Sequence, residues 1–294
     1  MNESKVIVGI GEALWDILPE GKKIGGAPAN FAYHVSQFGL QSCVVSAVGE
    51  DTLGEEIRNS FQKKGLHSFL ATVPYPTGIV DVKVDEVGVP QYIIKENVAW
   101  ENIPFTPELE ALANHTCAVC FGSLAQRNVV SHDTIHRFID AMPERDDTLI
   151  IFDVNLRQGF YNMDILDHSI QRCNVLKIND EELVEISRML GYPDIDFQSQ
   201  CQSLLERYHL RVLILTCGIN GSYIFTSGDV SFLSTPQVEV ADTVGAGDSF
   251  TATFTASILK GLSVAEAYHR AVAASAYVCT QHGAMPLLPK EYTL

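Results

Sequence analysis

Asp242-Thr243-Val244-Gly245-Ala246-Gly247-Asp248-Ser249-Phe250 decides the reading of this chain. Three small residues precede an acid, and an apolar helical pattern follows at Phe250, Phe254, Ile258, Leu259 and Leu262. A loop of this kind exposes consecutive backbone N–H groups at the start of a helix. Those groups have no intrahelical partner and the helix dipole favours negative charge beside them, so the turn binds anions. An aspartate inside an anion site would repel a phosphate. Its presence makes sense if Asp248 takes a proton from a hydroxyl that then attacks the phosphate, which points to phosphoryl transfer to an alcohol.

Working outward, the segments before and after this loop alternate between β-rich and helical patterns. Lys5–Ile10, Ser42–Val48, Cys117–Phe121, Thr148–Asp153, Val175–Ile178 and Arg211–Thr216 read as buried strands. Residues 28–38, 53–64, 130–141, 181–190, 197–208, 246–260 and 264–280 read as helices, the last with a capping box at Ser263 and Glu266. Thr106-Pro107 predicts another helix start. The alternation predicts an α/β fold: a doubly wound, mostly parallel sheet covered by helices on both faces. One region breaks the pattern. Residues 77–85 and 89–95 read as strands joined by a Glu86-Val87-Gly88 turn, and Ala13–Leu18 follows the first strand with no helix between. Together they predict a small separate sheet of three or four strands, which fits either a lid that excludes water or a surface hairpin without function.

The 294 residues are 46% hydrophobic and 19% charged, enough for a large core. A net charge of −16 argues against nucleic acid or an anionic membrane as partner, because both need clustered Lys and Arg. It leaves ATP open, since backbone N–H groups and a metal ion can build a local nucleotide site. No secretory leader pattern and no run of ~18 apolar residues is found. The odd set of seven cysteines has no regular spacing and fits reduced thiols in a cytoplasm.

Further candidate residues flank the predicted strand ends. Gly25-Gly26-Ala27-Pro28-Ala29-Asn30 opens the first long helix. With Asp16 before it, this stretch suits a polyhydroxylated ligand, or is a glycine-rich loop with an ordinary cap. Arg157, after the strand ending at Asp153, is placed either to clamp a phosphate or substrate oxygen or to form a surface ion pair. Asn179 reads as an N-cap, and Glu182 three residues on can hold hydrated Mg²⁺. The Thr216–Gly221 loop is either hairpin punctuation or a set of N–H groups for a triphosphate. Three patterns mislead. Gly9-Ile10-Gly11 lacks the third glycine of a dinucleotide fingerprint, Leu14 standing there. Cys117 and Cys120 lie inside an apolar strand with no second pair, and His132 and His136 read as a solvated helix face.

Taken together, these motifs resemble the ribokinase-like (PfkB) family of carbohydrate kinases, over nearly the whole chain. The Gly25–Asn30 loop and the Asp242–Phe250 segment stand in the order and separation that family shows. Residues 11–16, 25–30 and 121–125 are most similar to fructokinases. The resemblance implies one kinase domain over residues 1–294, with lid segments at about 12–24 and 75–100. It implies Asp248 as catalytic base and Gly245, Ala246 and Gly247 as an anion hole. Asp16, Gly25, Gly26 and Asn30 would bind sugar, with Arg157 beside them. Asn179 and Glu182 would organise Mg²⁺ and phosphates, and Thr216, Gly218 and Gly221 would carry ATP. Asp242, Val244 and Gly283 match a monovalent-cation site, K⁺ being the ion. The lid often makes the dimer contact, so a homodimer is expected. Ala27 and Pro28 replace the Lys-Gly of the ribokinase loop, which moves the reading from ribose towards D-fructose. Other acceptors stay open: 2-keto-3-deoxygluconate, a nucleoside stacked on Trp15, Tyr92 or Trp100, or a sugar phosphate met by Lys83 and Lys95. So does a catalytically silent sugar-binding protein on the same fold.

Overall fold

The structure is a computed structural model that describes residues 5–18, 21–84, 90–192 and 195–293. The expected Glu86-Val87-Gly88 turn lies outside the described residues, as do the side chains of Lys83 and Tyr92. In chain order the elements are β1 (Val6–Ile10), β2 (Leu14–Leu18), β3 (Gly21–Gly25), α1 (Ala27–Ser36), β4 (Ser42–Gly49), α2 (Thr52–Lys63), β5 (His67–Val73), β6 (Gly78–Val84), β7 (Pro90–Ile94) and α3 (Pro107–Ala113). There follow β8 (Thr116–Phe121), α4 (Val129–Asp140), β9 (Leu149–Asp153), α5 (Met163–Arg172), β10 (Val175–Asn179), α6 (Asp180–Met189), α7 (Phe197–Arg207), β11 (Val212–Thr216), β12 (Ser222–Thr226), β13 (Asp229–Leu233), α8 (Ala246–Leu259), α9 (Val264–Cys279) and α10 (Lys290–Thr293).

The larger sheet has nine strands in the order β13-β12-β11-β10-β9-β8-β1-β4-β5. It is parallel from β11 to β5, and β12 and β13 add antiparallel at one edge. Neighbouring residues of β1 face opposite cores. Val8 belongs to the core that also holds Leu109, Ile135, Leu166, Leu183 and Leu204 of α3 to α7, whereas Ile7 belongs to the core that holds Phe31, Phe250 and Tyr268 of α1, α8 and α9. That two-sided burial is why these strands are continuously apolar rather than alternating. Each such side chain stabilises the fold by roughly 1.5–3 kcal/mol. On α8, Ala252 and Ala256 are fully buried, so small side chains let neighbouring helices approach. The caps read from sequence are present at Thr106 and Ser263.

The smaller sheet runs β3-β2-β6-β7. β3 carries no alternating pattern, only Gly-Lys-Lys-Ile-Gly, and forms because it pairs antiparallel with β2. It leads into α1 with only Gly26 between them. α5 is also absent from the sequence reading. Among the described residues no helix is long and apolar enough to cross a membrane, and all seven cysteines are free thiols.

Two histidines are buried, one of them against expectation. His136 does not lie on a solvated face: it is buried, its Nε2–H donates to Gln126 Oε1 over 3.1 Å, and it packs on His132. The turn of α4 that carries it faces α5, where Ser169 also binds Gln126. His34 on α1 is fully buried, with Nε2 at 2.9 Å from Ala284 O and Nδ1 at 3.2 Å from Gln37 Nε2. Both contacts are satisfied by a neutral ring. Burial lowers the His34 pKa from 6.5 to about 4. A base depressed in the folded state contributes stability that is complete above its unfolded pKa and lost as pH falls towards the folded one. Wild-type protein should therefore lose roughly 2 kcal/mol between pH 6.5 and pH 5 through this residue. Urea midpoints at the two pH values check it: a His34→Gln protein should lose less, and equal losses would refute the assignment.

Candidate active site

The loop that opened the sequence reading caps α8. Gly245, at φ 79°, is the N-cap, and a Cβ there would meet Ala284 at 2.7 Å. The positive φ turns the chain so that the next amides point out along the helix axis. Ser249 N–H to Gly245 O, at 2.8 Å, is the first regular helical bond. The Gly247 and Asp248 amides precede that ladder and are the donors an anion would meet.

Beneath them lies a residue that the sequence reading passed over. Lys177, on β10, is 8% exposed, and its Nζ lies 2.9 Å from the position a Cβ on Gly247 would take. It donates to Asp153 Oδ1 at 2.9 Å, and Asp153 Oδ2 accepts from Thr251 Oγ1 of α8 at 2.9 Å. Burial works against the ammonium, but Asp153, Glu182 and Asp248 outweigh it and raise its pKa, so it stays charged. The signal was a lysine inside an apolar strand, which is rare without a partner.

Asp248 lies in the first turn of α8, partly open to solvent, with its carboxylate enclosed. Its Oδ2 accepts from Asn30 Nδ2 of α1 at 2.7 Å. Burial and the nearby Asp153 push its pKa up to about 6, against the Asn30 hydrogen bond and the charges of Lys177 and Arg157. Asp16, on β2, has Oδ2 2.6 Å from the place of a Cβ on Gly25, so its carboxylate covers the loop glycine. Burial raises it to about 6 against Lys23 and Arg157. Arg157 is exposed and acts on Glu12, Asp16 and Asp248 together, so it belongs to this cluster. Asn30 and Asp248 thus meet through a hydrogen bond, and Arg157 is near enough to act on both Asp16 and Asp248.

Asn179 and Glu182 form a reciprocal capping box on α6. Glu182 is buried and each of its oxygens accepts a backbone amide at 2.8 Å, Leu156 N–H on one and Asn179 N–H on the other. A carboxylate committed in this way orders the loops after β9 and β10. Both oxygens of the carboxylate are thus engaged, and no group of three or more His, Cys, Asp or Glu able to hold a metal is found among the described residues. Thr216 and Gly221 close the β11–β12 hairpin through Cys217 N–H to Gly221 O at 2.8 Å, with Gly218 in the short turn between. This loop is the β11–β12 hairpin, and it lies beside Asn179 through the β10–β11 pairing. Asp242 Oδ1 and Oδ2 accept from Val244 N–H at 3.0 Å and Gly283 N–H at 3.1 Å, so the three residues of the cation expectation do meet.

A cleft of about 430 Å³ joins the small sheet to the chain's C-terminal loop, with Asp16, Lys23, Lys64, Asp242 and His282 on its walls. Of the stacking surfaces considered for a nucleoside, Trp15 and Trp100 are both buried, and the side chain of Tyr92 lies outside the described residues. Lys95 is paired with Asp81 at 2.6 Å, so the basic groups of the cleft are Lys23 and Lys64 instead.

An enclosed carboxylate, a row of amides and a buried ammonium thus lie together on this scaffold. The structure matches the ATP-bound fructokinase of Xylella fastidiosa with a TM-score of 0.83, covering 97% of this chain and 95% of that one at 21% identity. The chain belongs to the pfkB family of carbohydrate kinases, whose family model matches residues 20–291. It is 26% identical over 279 residues to the ATP-dependent 6-phosphofructokinase of Thermoanaerobacterium thermosaccharolyticum, covering 93% of this chain and 84% of that protein. It is 26% identical over 308 residues to the fructokinase of Salmonella typhimurium, covering 97% and 96%.

Proposed function

We propose that this carbohydrate kinase transfers the γ-phosphoryl group of ATP to the 6-hydroxyl of D-fructose. The observation that carries the reading is Asp248, held by Asn30 beside the free amides of the α8 N-terminus with Lys177 below them. The sugar lies between β2 and the Gly25–Asn30 turn, where Asp16 and Arg157 face it. Asp248 accepts the hydroxyl proton as the oxygen attacks in line. The Gly247 and Asp248 amides and the Lys177 ammonium stabilise the charge that spreads over the transferred group. The triphosphate extends from there past Asn179 towards the Thr216–Gly221 hairpin. Mg²⁺, when bound, neutralises phosphate charge, and we assign it to the nucleotide and its waters beside Asn179 rather than to the Glu182 carboxylate. K⁺ belongs near Asp242, Val244 and Gly283. Free thiols support a cytoplasmic setting, and Ile93, exposed on the small sheet, supports a homodimer joined there.

A second reading, an acidic or phosphorylated sugar as acceptor, is supported by Lys23 and Lys64 on the cleft walls. ATP consumption measured over fructose, ribose, 2-keto-3-deoxygluconate, a nucleoside and fructose 6-phosphate, with and without K⁺, separates the readings. The highest kcat/KM is expected on fructose. A higher value on fructose 6-phosphate or the sugar acid transfers the assignment to the second reading, and no consumption with any acceptor sinks both.

A further inference from the structure

Glu12 follows β1 and was not among the residues expected to form the site. It is 4% exposed. Its backbone packs so closely under the α1 start that a Cβ on Gly26 would lie 2.3 Å from Glu12 O. Its Oε1 accepts from Ala27 N–H at 3.3 Å. Its Oε2 is buried with no partner, and the same is true of Asn30 Oδ1. Helical side chains lean back over the preceding turn, which places the Asn30 amide over the Ala27 N–H that Glu12 already binds. Two buried acceptors in one turn are costly as they stand, because neither can satisfy the other. A single proton on Glu12 resolves both.

We propose that Glu12 is a positioning residue held as the neutral acid, whose Oε2–H donates to Asn30 Oδ1, so that Glu12, Asn30 and Asp248 form one hydrogen-bonded chain. Asn30 then has a fixed orientation, with Oδ1 accepting from Glu12 and Nδ2 donating to Asp248 Oδ2. Asp248 Oδ1 is left for the incoming hydroxyl. A neutral Glu12 also removes a second negative charge from beside the base. The charged and titratable groups facing Glu12 are Asp248 of α8, Arg157 after β9 and the Cys120 thiol of β8; Asp153 and Lys177 act on it through Asp248. Burial raises Glu12 to about 7, with Asp248 adding to it and Arg157 opposing, while Asp248 is held at about 6. Glu12 therefore holds its proton to higher pH than Asp248 does.

The kinetic part of the test rests on the kinase reading, and the spectroscopic part does not. Infrared difference spectra of the full chain at pH 6.5 should contain a carboxylic-acid carbonyl band that Glu12→Gln removes and Asp248→Asn retains. Absence of that band from the wild type overturns the proposal, whatever the activity, and would assign the gap to a donor such as water. In kinetics, kcat/KM should rise through about pH 6 and fall above about pH 7. Glu12→Gln should abolish the falling limb alone. Glu12→Ala should lower kcat/KM roughly tenfold or more at pH 6.5, with Glu12→Gln restoring most of the loss. An unchanged falling limb in Glu12→Gln, or a Gln variant as weak as Ala, overturns the proposal. If no sugar is turned over, the kinase reading fails and the infrared result still decides the state of Glu12.

Discussion

Asp248→Asn should reduce kcat by ~10²–10⁴-fold while the protein stays folded and binds ATP, because a general base contributes on that order. The structure makes this a clean substitution. An asparagine at 248 keeps an oxygen for Asn30 Nδ2, which donates to the carboxylate in the wild type. It also removes an anion from a site where Asp153 opposes ionisation. An acid whose folded pKa is raised costs stability above that pKa, so the amide, which never ionises, should be at least as stable as wild type at pH 7. Thermal melting and nucleotide titration, run beside the ATP-consumption assay, separate the two effects. Near wild-type turnover would show that some other group takes the proton.

Lys177→Met should be worse for the molecule as a whole. Removing one partner of a buried pair leaves Asp153 charged and without its ammonium, at a cost of about 3–5 kcal/mol. It also withdraws the positive charge beneath Gly247, and losing one donor to a developing anion costs roughly 10²–10³ in kcat. The double substitution Lys177→Met with Asp153→Asn distinguishes these roles. It should recover most of the stability, since no unpaired charge remains, and little of the turnover. Urea midpoints and kcat at saturating ATP report the two quantities. A double variant with restored turnover would make Lys177 a structural residue only.

What could be read before folding was what local pattern encodes. The helix caps at Thr106 and Ser263 and the anion loop at Gly245–Asp248 depend on residues a few positions apart. The central strands announced themselves because both of their faces are buried. β3 did not, since its Gly-Lys-Lys-Ile-Gly run has strand geometry only through its register with β2. Lys177 was absorbed into an apolar run because its ion partner is 24 residues earlier and its glycine neighbour is on α8. The bond between Asn30 and Asp248 spans 218 residues, so no window of sequence contains it. Glu12 shows the same limit: it stood inside the 11–16 stretch similar to fructokinases with no role of its own, and its surroundings come from α1 and α8. His136 was misread because a helix face that looks polar can still be covered by a polar neighbour, here Gln126.

The direct join of β3 to α1 has one more implication. Only Gly26 separates the small sheet from the helix whose Asn30 holds Asp248, so the placement of β3 fixes where that helix begins, and a change in the packing of the sheet would carry the Asp248 carboxylate with it.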